Sequence, residues 1–422
     1  MKRLFSFIAF ILIVASIYAT TIVQISDIHY LSPSLFDYDR LRNLTLTGDG
    51  KATHIMDKVM DEFVSEMLEL SPDAVVVTGD LTYNGEKKSH EELKDKLSIL
   101  EKNGIKVFVL MGNHDTGNAT PYALYKDKVV ETEGITAMEA EELWMDFGYG
   151  EAVSKDPVSN SYMAKVSDNL WIMCIDSNNG SGGSVRSKTL TWIENALRVA
   201  NIKEKKVITA THQNLFVHNP RYTFGYQINN SNKVVDILKK WGVKLNLSGH
   251  LHIQHITKES GITEIAQESF SDWPLQYGVI EIDVNGRYSY FTKEIGNKDL
   301  VDEAQFVFDS STQYKFTNNI ESENKDKMTE VATVLNREYF RGKVDDYNKD
   351  ALALWDESYR MTSYLNLIAN DTRDYRSVEG SLYQGRFLTC PALILLSVLS
   401  FPKLRVLLSS ELLSSSKHLE RS

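Results

Sequence analysis

Short apolar runs recur along the chain, and each is stopped by a small polar loop. Thr21-Ile22-Val23-Gln24-Ile25 gives way to Ser26-Asp27-Ile28-His29, and Ala74-Val75-Val76-Val77 to Gly79-Asp80. Lys106-Val107-Phe108-Val109-Leu110 runs into Gly112-Asn113-His114-Asp115. Val207-Ile208-Thr209-Ala210 leads to His212, and Leu245-Asn246-Leu247 to Gly249-His250-Leu251-His252. Such runs, bounded by turn residues, predict buried strands. Segments of helical period lie between them. Residues 53–70 carry Ile55, Val59, Phe63, Met67 and Leu70 on one face and are stopped by Ser71-Pro72; residues 90–103 carry Leu93, Leu97 and Leu100 and close on Gly104. Residues 189–200 and 234–241 repeat the pattern. Strands alternating with helices predict an α/β layer fold with a largely parallel sheet. In such sheets ligands gather outside the carboxyl ends of the strands, where all five polar loops fall.

The rest of the chain punctuates this core. Residues 30–51 read as a long irregular loop, and residues 120–147 as a charged, helical excursion over the site. Residues 162–164 and 170–175 pair as a hairpin, and Asn285-Gly286 predicts another. Beyond Gly296 the texture becomes polar. The expected division is a signal segment at 1–19, a catalytic domain at 20–296, a linker at 297–330, a helical appendage at 331–385 and an apolar-to-polar tail at 386–422.

Composition changes the picture in three places. The net charge of -11 argues against nucleic-acid duplex binding, which needs a basic face. Lys2 and Arg3, the apolar stretch 4–17 and Ala19 predict an export signal cleaved before Thr20, with an uncleaved anchor as the alternative. The expected location is therefore exported: secreted, periplasmic or lumenal. The uncharged run 387–401 is shorter than the ~20 residues a spanning helix needs. Membrane contact is weighed there against burial in the appendage or a disordered tail. Two cysteines make no disulfide framework, and Cys174 reads as a buried small apolar residue.

The chemistry lies in the loops. Asp27, His29, Asp80, Asn113, His212, His250 and His252 offer carboxylate, amide and imidazole donors of the kind that suit divalent first-row metals. Any one of these histidines alone would be read as a hydrogen-bonded core residue; five of the ten in the chain follow apolar strands directly. Seven donors without cysteine overfill one ion, and a shared carboxylate would divide them between two, the pattern for in-line displacement at phosphorus. His114 is the candidate for protonating a leaving oxygen, and Asp115 either orients it or braces the turn. Asn214, His218, Asp272, Trp273, Tyr277 and Tyr30 are candidates for the surroundings of the site.

Taken in order, Asp27-Ile28-His29, Gly79-Asp80, Gly112-Asn113-His114-Asp115, His212 and Gly249-His250-Leu251-His252 resemble the motifs of the calcineurin-like metallophosphoesterases. The texture, with Gly79-Asp80-Leu81-Thr82 and an export signal, is similar to the branch with cyclic-nucleotide phosphodiesterase-like and sphingomyelinase-like members. The protein-phosphatase branch carries an arginine in an extended second motif, where this chain has Leu81-Thr82-Tyr83-Asn84-Gly85. The resemblance spans residues 21–295. It implies a two-sheet sandwich flanked by helices and two divalent ions, Mn, Fe or Zn. One ion would take Asp27, His29, Asp80 and His252; the other would take Asp80, Asn113, His212 and His250, with Asp80 bridging. It also implies hydrolysis of a phosphodiester or phosphomonoester by in-line attack of a bridging hydroxide. The rival readings are a catalytically silent metal-binding scaffold and a single-zinc hydrolase.

Overall fold

The computed structural model describes residues 20–117, 120–180, 182–318 and 320–383. The expected signal segment, the apolar run 387–401 and Cys390 lie outside the described residues. The strands are β1 (Thr20–Ile25), β2 (Ala74–Thr78), β3 (Lys106–Leu110), β4 (Tyr122–Tyr125), β5 (Lys128–Glu131), β6 (Ser154–Lys155), β7 (Tyr162–Lys165), β8 (Leu170–Ile175), β9 (Lys206–Thr211), β10 (Leu245–Ser248), β11 (His255–Glu259), β12 (Ile262–Ala266), β13 (Gln276–Ile282), β14 (Arg287–Glu294) and β15 (Ser377–Ser381).

They form two main sheets, ordered β15-β14-β13-β1-β2-β3 and β11-β12-β10-β9-β8-β7-β6, with β4-β5 as a separate hairpin. β1, β2 and β3 are parallel, as are β8, β9, β10 and β12. Antiparallel strands finish the edges, including the Asn285-Gly286 hairpin, which registers Ile282 against Tyr288. The period of two along β8 shows how the sandwich is built. Ile172 and Cys174 join an apolar cluster that also holds β1, β2 and β3 side chains from the other sheet. Trp171, Met173 and Ile175 point the opposite way, into a cluster with helices Ser187–Ile202 and Ser231–Lys240. Cys174 is free and fully buried, as a small apolar residue would be. Helix Met56–Leu70 buries Met56, Val59, Met60, Phe63 and Met67 at helical spacing, while Leu70 faces solvent. Ser71 ends it in a left-handed conformation, its N–H returning to the Met67 carbonyl at 2.8 Å.

Three expectations need correction. The loop expected at 30–51 contains helix Tyr38–Thr47, capped by the Asp37 carboxylate on Arg40 N at 3.0 Å. Only Leu41 and Thr45 are buried in it, too narrow a stripe to reveal a period in the sequence. The excursion at 120–147 begins as the β4-β5 hairpin, and its helical part starts only at Ala137, as Ala137–Leu143 followed by a short helical turn at Met145–Tyr149. The linker expected at 297–330 is mostly a helix, Lys298–Thr317, which buries Leu300, Ala304, Val307, Phe308, Ser311 and Thr312. Half of that buried stripe is alanine or hydroxyl residues, which read as polar linker.

The helical C-terminal region packs as well. Met328, Val331, Leu335 and Tyr339 of helix Lys325–Arg341 and Leu365 and Ile368 of helix Thr362–Ala369 form one cluster with Leu251 and Ile253. Those last two residues alternate with His250 and His252 in the loop after β10. Among the described residues, no helix is long and apolar enough to cross a membrane.

Candidate metal centre

Both parallel strand sets deliver their carboxyl ends to one place. The loop after β1 is tied to the loop after β2 by Asp27 N to Gly79 O (2.9 Å) and His29 N to Asp80 O (3.0 Å). Across the sandwich, Gly249 N reaches His212 O at 3.1 Å. Asp27, His29, Asp80, His250 and His252 all adopt left-handed backbone, with φ from 45° to 67°. None is glycine, so each position costs conformational energy, of order 1–3 kcal/mol, that the surrounding fold must cover. Two glycines let the loops close. A Cβ on Gly112 would lie 2.2 Å from both Asp80 N and Asp80 Oδ1, and one on Gly249 would lie 1.7 Å from Ser26 Oγ.

Donor atoms of Asp27, His29, Asp80 and His252 lie within 4.8 Å of one another, as do those of Asp80, His212 and His250. Asp80 belongs to both groups. His29 Nε2 faces His252 Nε2 at 3.2 Å, and His250 Nδ1 faces His212 Nε2 at 3.1 Å. Asn113 Oδ1 adds itself at 3.0 Å from His212 Nε2. Asp27 Oδ1 is buried, lies 3.2 Å from His252 Nε2 and makes no hydrogen bond. Imidazole nitrogens turned towards one another around carboxylates, with a buried carboxylate oxygen unmatched, fit a pair of cations.

The far nitrogens of three rings are held by outer partners, which fixes the nitrogen presented to the centre. His212 Nδ1 meets Thr78 O at 2.8 Å, and His250 Nε2 meets Gly225 O at 2.7 Å. His252 Nδ1 lies 3.4 Å from Asp272 Oδ2. The carboxylates are fixed too. Asp80 Oδ1 accepts from His114 N (2.8 Å), and Asp27 Oδ2 accepts from His250 N (2.8 Å) and Ser26 Oγ (2.5 Å).

Charge follows this geometry. Burial alone would raise the Asp80 carboxyl, but the adjacent His212 holds it well below the usual range; His252 does the same, less strongly, for Asp27. Burial opposes the imidazolium of His212, yet Asp80 pushes it up to about 9, and Asp27 does so for His252. Burial and the His212 charge bring His250 down to about 4. Burial, then the charge of Lys51, hold His29 well below the usual imidazole range. Carboxyls held this acidic stay ionised, and their charge is available to the cations around them.

His114 stands at the rim, half-buried, edge-on to His29 with centroids 5.1 Å apart. Its Nδ1 lies 2.9 Å from Tyr83 O and 3.2 Å from Asn84 Oδ1. A carbonyl only accepts, so Nδ1 donates and Nε2 is left for chemistry. Asp115 does not reach this ring. Its carboxylate accepts from Leu81 N (3.2 Å), Thr82 N (2.9 Å), Thr82 Oγ1 (3.0 Å) and Gly112 N (2.7 Å). Of the two readings of Asp115, orienting His114 or bracing the turn, these bonds favour the second: its carboxylate ties the loops after β2 and β3 together.

The other candidates separate clearly. Asn214 Nδ2 supports the ligand loop from beneath through Ser248 Oγ (3.0 Å) and Gly249 O (3.1 Å). His218 is turned to Glu264 (3.0 Å) and His255 (2.9 Å), away from the centre. Tyr30 and Tyr277 hydrogen-bond Asp57 (2.9 Å) and Glu66 (2.7 Å). Trp273 lies under the guanidinium groups of Arg337 and Arg341, at 5.3 and 5.9 Å. Sequence reasoning missed Lys51 and the carbonyls of Thr78, Gly225 and Tyr83. A carbonyl's role leaves no trace in residue identity, and a single lysine in a polar loop gives no signal.

Comparison with known proteins agrees with this arrangement. Residues 20–254 match the model of the calcineurin-like phosphoesterase family. A protein of Arcobacter nitrofigilis named as a probable glycerophosphodiester phosphodiesterase, GpdQ, is 23% identical over 243 residues, 55% of this chain and 71% of that one. Among solved structures, a dimetal phosphatase from Danio rerio aligns with 14% identity and a TM-score of 0.48, covering 65% of this chain and 96% of that one. The purple acid phosphatase PPD1 of yellow lupin (Lupinus luteus) aligns with 11% identity and a TM-score of 0.41, covering 67% of this chain and 52% of that one.

Proposed function

We propose that this chain, which belongs to the calcineurin-like phosphoesterase family and is a metal-dependent phosphoric ester hydrolase, acts on a phosphodiester with two divalent ions bound. The observation that carries the reading is the sharing of Asp80 between two donor groups. Asp27, His29, Asp80 and His252 would hold one ion; Asp80, Asn113, His212 and His250 would hold the other. Bound there, such ions supply Lewis-acid stabilisation of phosphoryl charge and lower the pKa of water. The named relative supports a diester as substrate class.

The chain's own residues do the rest. Thr78 O, Gly225 O and Asp272 fix the rings of His212, His250 and His252, so the donors are set before substrate arrives. With Nδ1–H donated to Tyr83 O, His114 delivers a proton to the departing oxygen only as the imidazolium, whose second N–H is at Nε2. No residue of the chain needs to form a covalent bond to phosphorus. Export, which rests on Lys2, Arg3 and the apolar stretch that follows, completes the proposal. N-terminal sequencing of the mature protein should begin at Thr20.

The functional test is a panel of p-nitrophenyl mono- and diesters, glycerophosphodiesters, cyclic nucleotides and phosphocholine lipids, assayed with defined Mn, Fe or Zn alongside elemental analysis. Diester hydrolysis at two ions per chain is expected. Full activity at one ion per chain would favour the single-metal reading, and metal binding without turnover of any ester would favour the silent scaffold.

A further inference from the structure

His114 is held both at its backbone and at its ring. Its N–H donates to Asp80 Oδ1 at 2.8 Å, which ties the main chain to the carboxylate common to the two donor groups. The ring reaches the other way, where Nδ1 lies 2.9 Å from Tyr83 O and 3.2 Å from Asn84 Oδ1. A carbonyl only accepts, so Nδ1 carries a proton, and the Asn84 atom facing that proton must be the amide oxygen. Asn84 is half-buried, and its Nδ2 makes no hydrogen bond among the described residues. Its side chain therefore has one partner, the proton donor.

The turn that presents these two acceptors is pinned on both faces. Asn84 N donates to Glu86 Oε2 and Gly85 N to Thr82 Oγ1, each at 3.0 Å, and Glu86 is fully buried. Gly85, at φ 79°, lets the turn lie against the His114-Asp115 backbone: a Cβ there would stand 2.8 Å from Asp115 O and 3.2 Å from His114 O. The β4-β5 segment covers the turn. Lys87 N donates to Glu133 O at 2.9 Å, Glu86 pairs with Gly134 as an isolated bridge, and the Tyr83 and Tyr122 rings meet edge to face with centroids 6.0 Å apart. The amide oxygen of Asn84 is thus placed before substrate arrives, and holding the ring adds little ordering cost.

We propose that Asn84 is a positioning residue for His114: its amide oxygen, together with the Tyr83 carbonyl, holds the Nδ1 proton and turns the Nε2 proton to the departing oxygen. The inference deepens the hydrolytic reading and rests on it. In the step itself the Nε2–H bond breaks as the bond between phosphorus and the alcohol oxygen breaks. The proton passes to that oxygen, and a neutral imidazole remains with its hydrogen on Nδ1, the tautomer that the two acceptors select. One acceptor lets the ring rock about a single contact; the second limits that motion. Because Asn84 acts through His114, its contribution exists only where the leaving oxygen needs a proton.

The test is a double-mutant cycle on the full, metal-loaded chain: Asn84→Ala, His114→Ala and the pair, each with elemental analysis. Two diesters are compared, one of p-nitrophenol and one of a poorly acidic alcohol. Asn84→Ala should keep its metal and lose roughly 3- to 10-fold on the second ester, the worth of one hydrogen bond, and less than about two-fold on the first. On the His114→Ala background it should cost nothing further. Asn84→Asp keeps an acceptor of the same shape and gives up only the unbonded Nδ2, so it should restore most of the loss. Equal losses on both esters, or an undiminished loss on the His114→Ala background, would make Asn84 a brace of the turn and overturn the inference. A second readout needs no turnover. In chain carrying isotope-labelled histidine, the His114 Nδ1 proton signal, assigned by its disappearance in His114→Ala, should broaden in Asn84→Ala through exchange with water and return in Asn84→Asp. A signal unchanged by Asn84→Ala would overturn the inference even if the esters are cleaved. A chain that cleaves no ester yet shows these changes would sink the hydrolytic reading and spare the contact.

Discussion

Gly112→Ala puts the proposed bridging role of Asp80 to a one-methyl test. Gly112 does not occupy the left-handed region, so alanine is allowed there by its backbone and only the added methyl matters. That methyl carbon would stand 2.2 Å from Asp80 N, 2.2 Å from Asp80 Oδ1 and 2.8 Å from Asp80 Cγ, where ordinary contact begins at 3.4 Å. Relief requires a movement of about 1 Å. Asp80 cannot swing aside: one contact is its backbone nitrogen, and Oδ1 is held by His114 N at 2.8 Å. The carboxylate shared by both donor groups must therefore shift with the loop. A misplacement of about 1 Å costs on the order of 100-fold in rate, and disturbed ligand geometry costs about 10–100-fold in metal affinity. The assay is metal content after gel filtration, followed by kcat/KM for bis(p-nitrophenyl) phosphate at saturating metal, with circular dichroism to confirm folding. We expect sub-stoichiometric metal and a drop of at least ~100-fold. A folded Gly112→Ala protein with full metal and kcat/KM within about three-fold of the parent would refute the argument that Asp80 must sit where it does.

Three further outcomes are expected. His114→Ala should keep its metal and lose ~100-fold or more on esters of poorly acidic alcohols, but much less on p-nitrophenyl esters, whose leaving group needs no proton; equal losses on both would remove His114 from the acid role. Asp115→Asn places an amide among the three backbone N–H groups and the hydroxyl that the carboxylate now accepts; urea unfolding should show a loss of at least ~2 kcal/mol, whereas unchanged stability with abolished turnover would restore Asp115 to catalysis. Burial pushes the Glu86 carboxyl up to about 7 from 4.5. Its folded-state pKa is raised, so its contribution is fully present below about 4.5 and is lost as pH rises through about 7. The stability of Glu86→Gln relative to the parent should therefore climb between pH 5 and pH 8 by at most about 3 kcal/mol, and a flat difference would contradict the shift.

What the sequence made legible was the identity of the ligand-type residues, because each stands directly after an apolar run that can only be a buried strand. Asp80 and His212 are predictable from Ala74–Thr78 and Lys206–Thr211 in that sense. The two-layer sandwich followed from the same runs once the family resemblance was in hand. Helices Tyr38–Thr47 and Lys298–Thr317 were not legible, since they bury narrow stripes rich in small and hydroxyl residues and look like loop. Nor was the left-handed backbone of Asp27, His29, Asp80, His250 and His252, because no glycine marks it. The role of Asp115 turned on direction: its neighbour His114 suggested partnership, and the carboxylate instead points back into the loops.

The packing of Leu251 and Ile253 against helices Lys325–Arg341 and Thr362–Ala369 bears on how the protein comes into being. A ribosome that has just passed residue 254 has made every candidate ligand, along with the whole stretch matched by the family. It has not yet made the helices against which Leu251 and Ile253 pack, nor Asp272, the carboxylate beside His252. A fragment cut at the family boundary would carry every candidate ligand and the Gly225 carbonyl that meets His250, but with the apolar side of the last ligand loop uncovered.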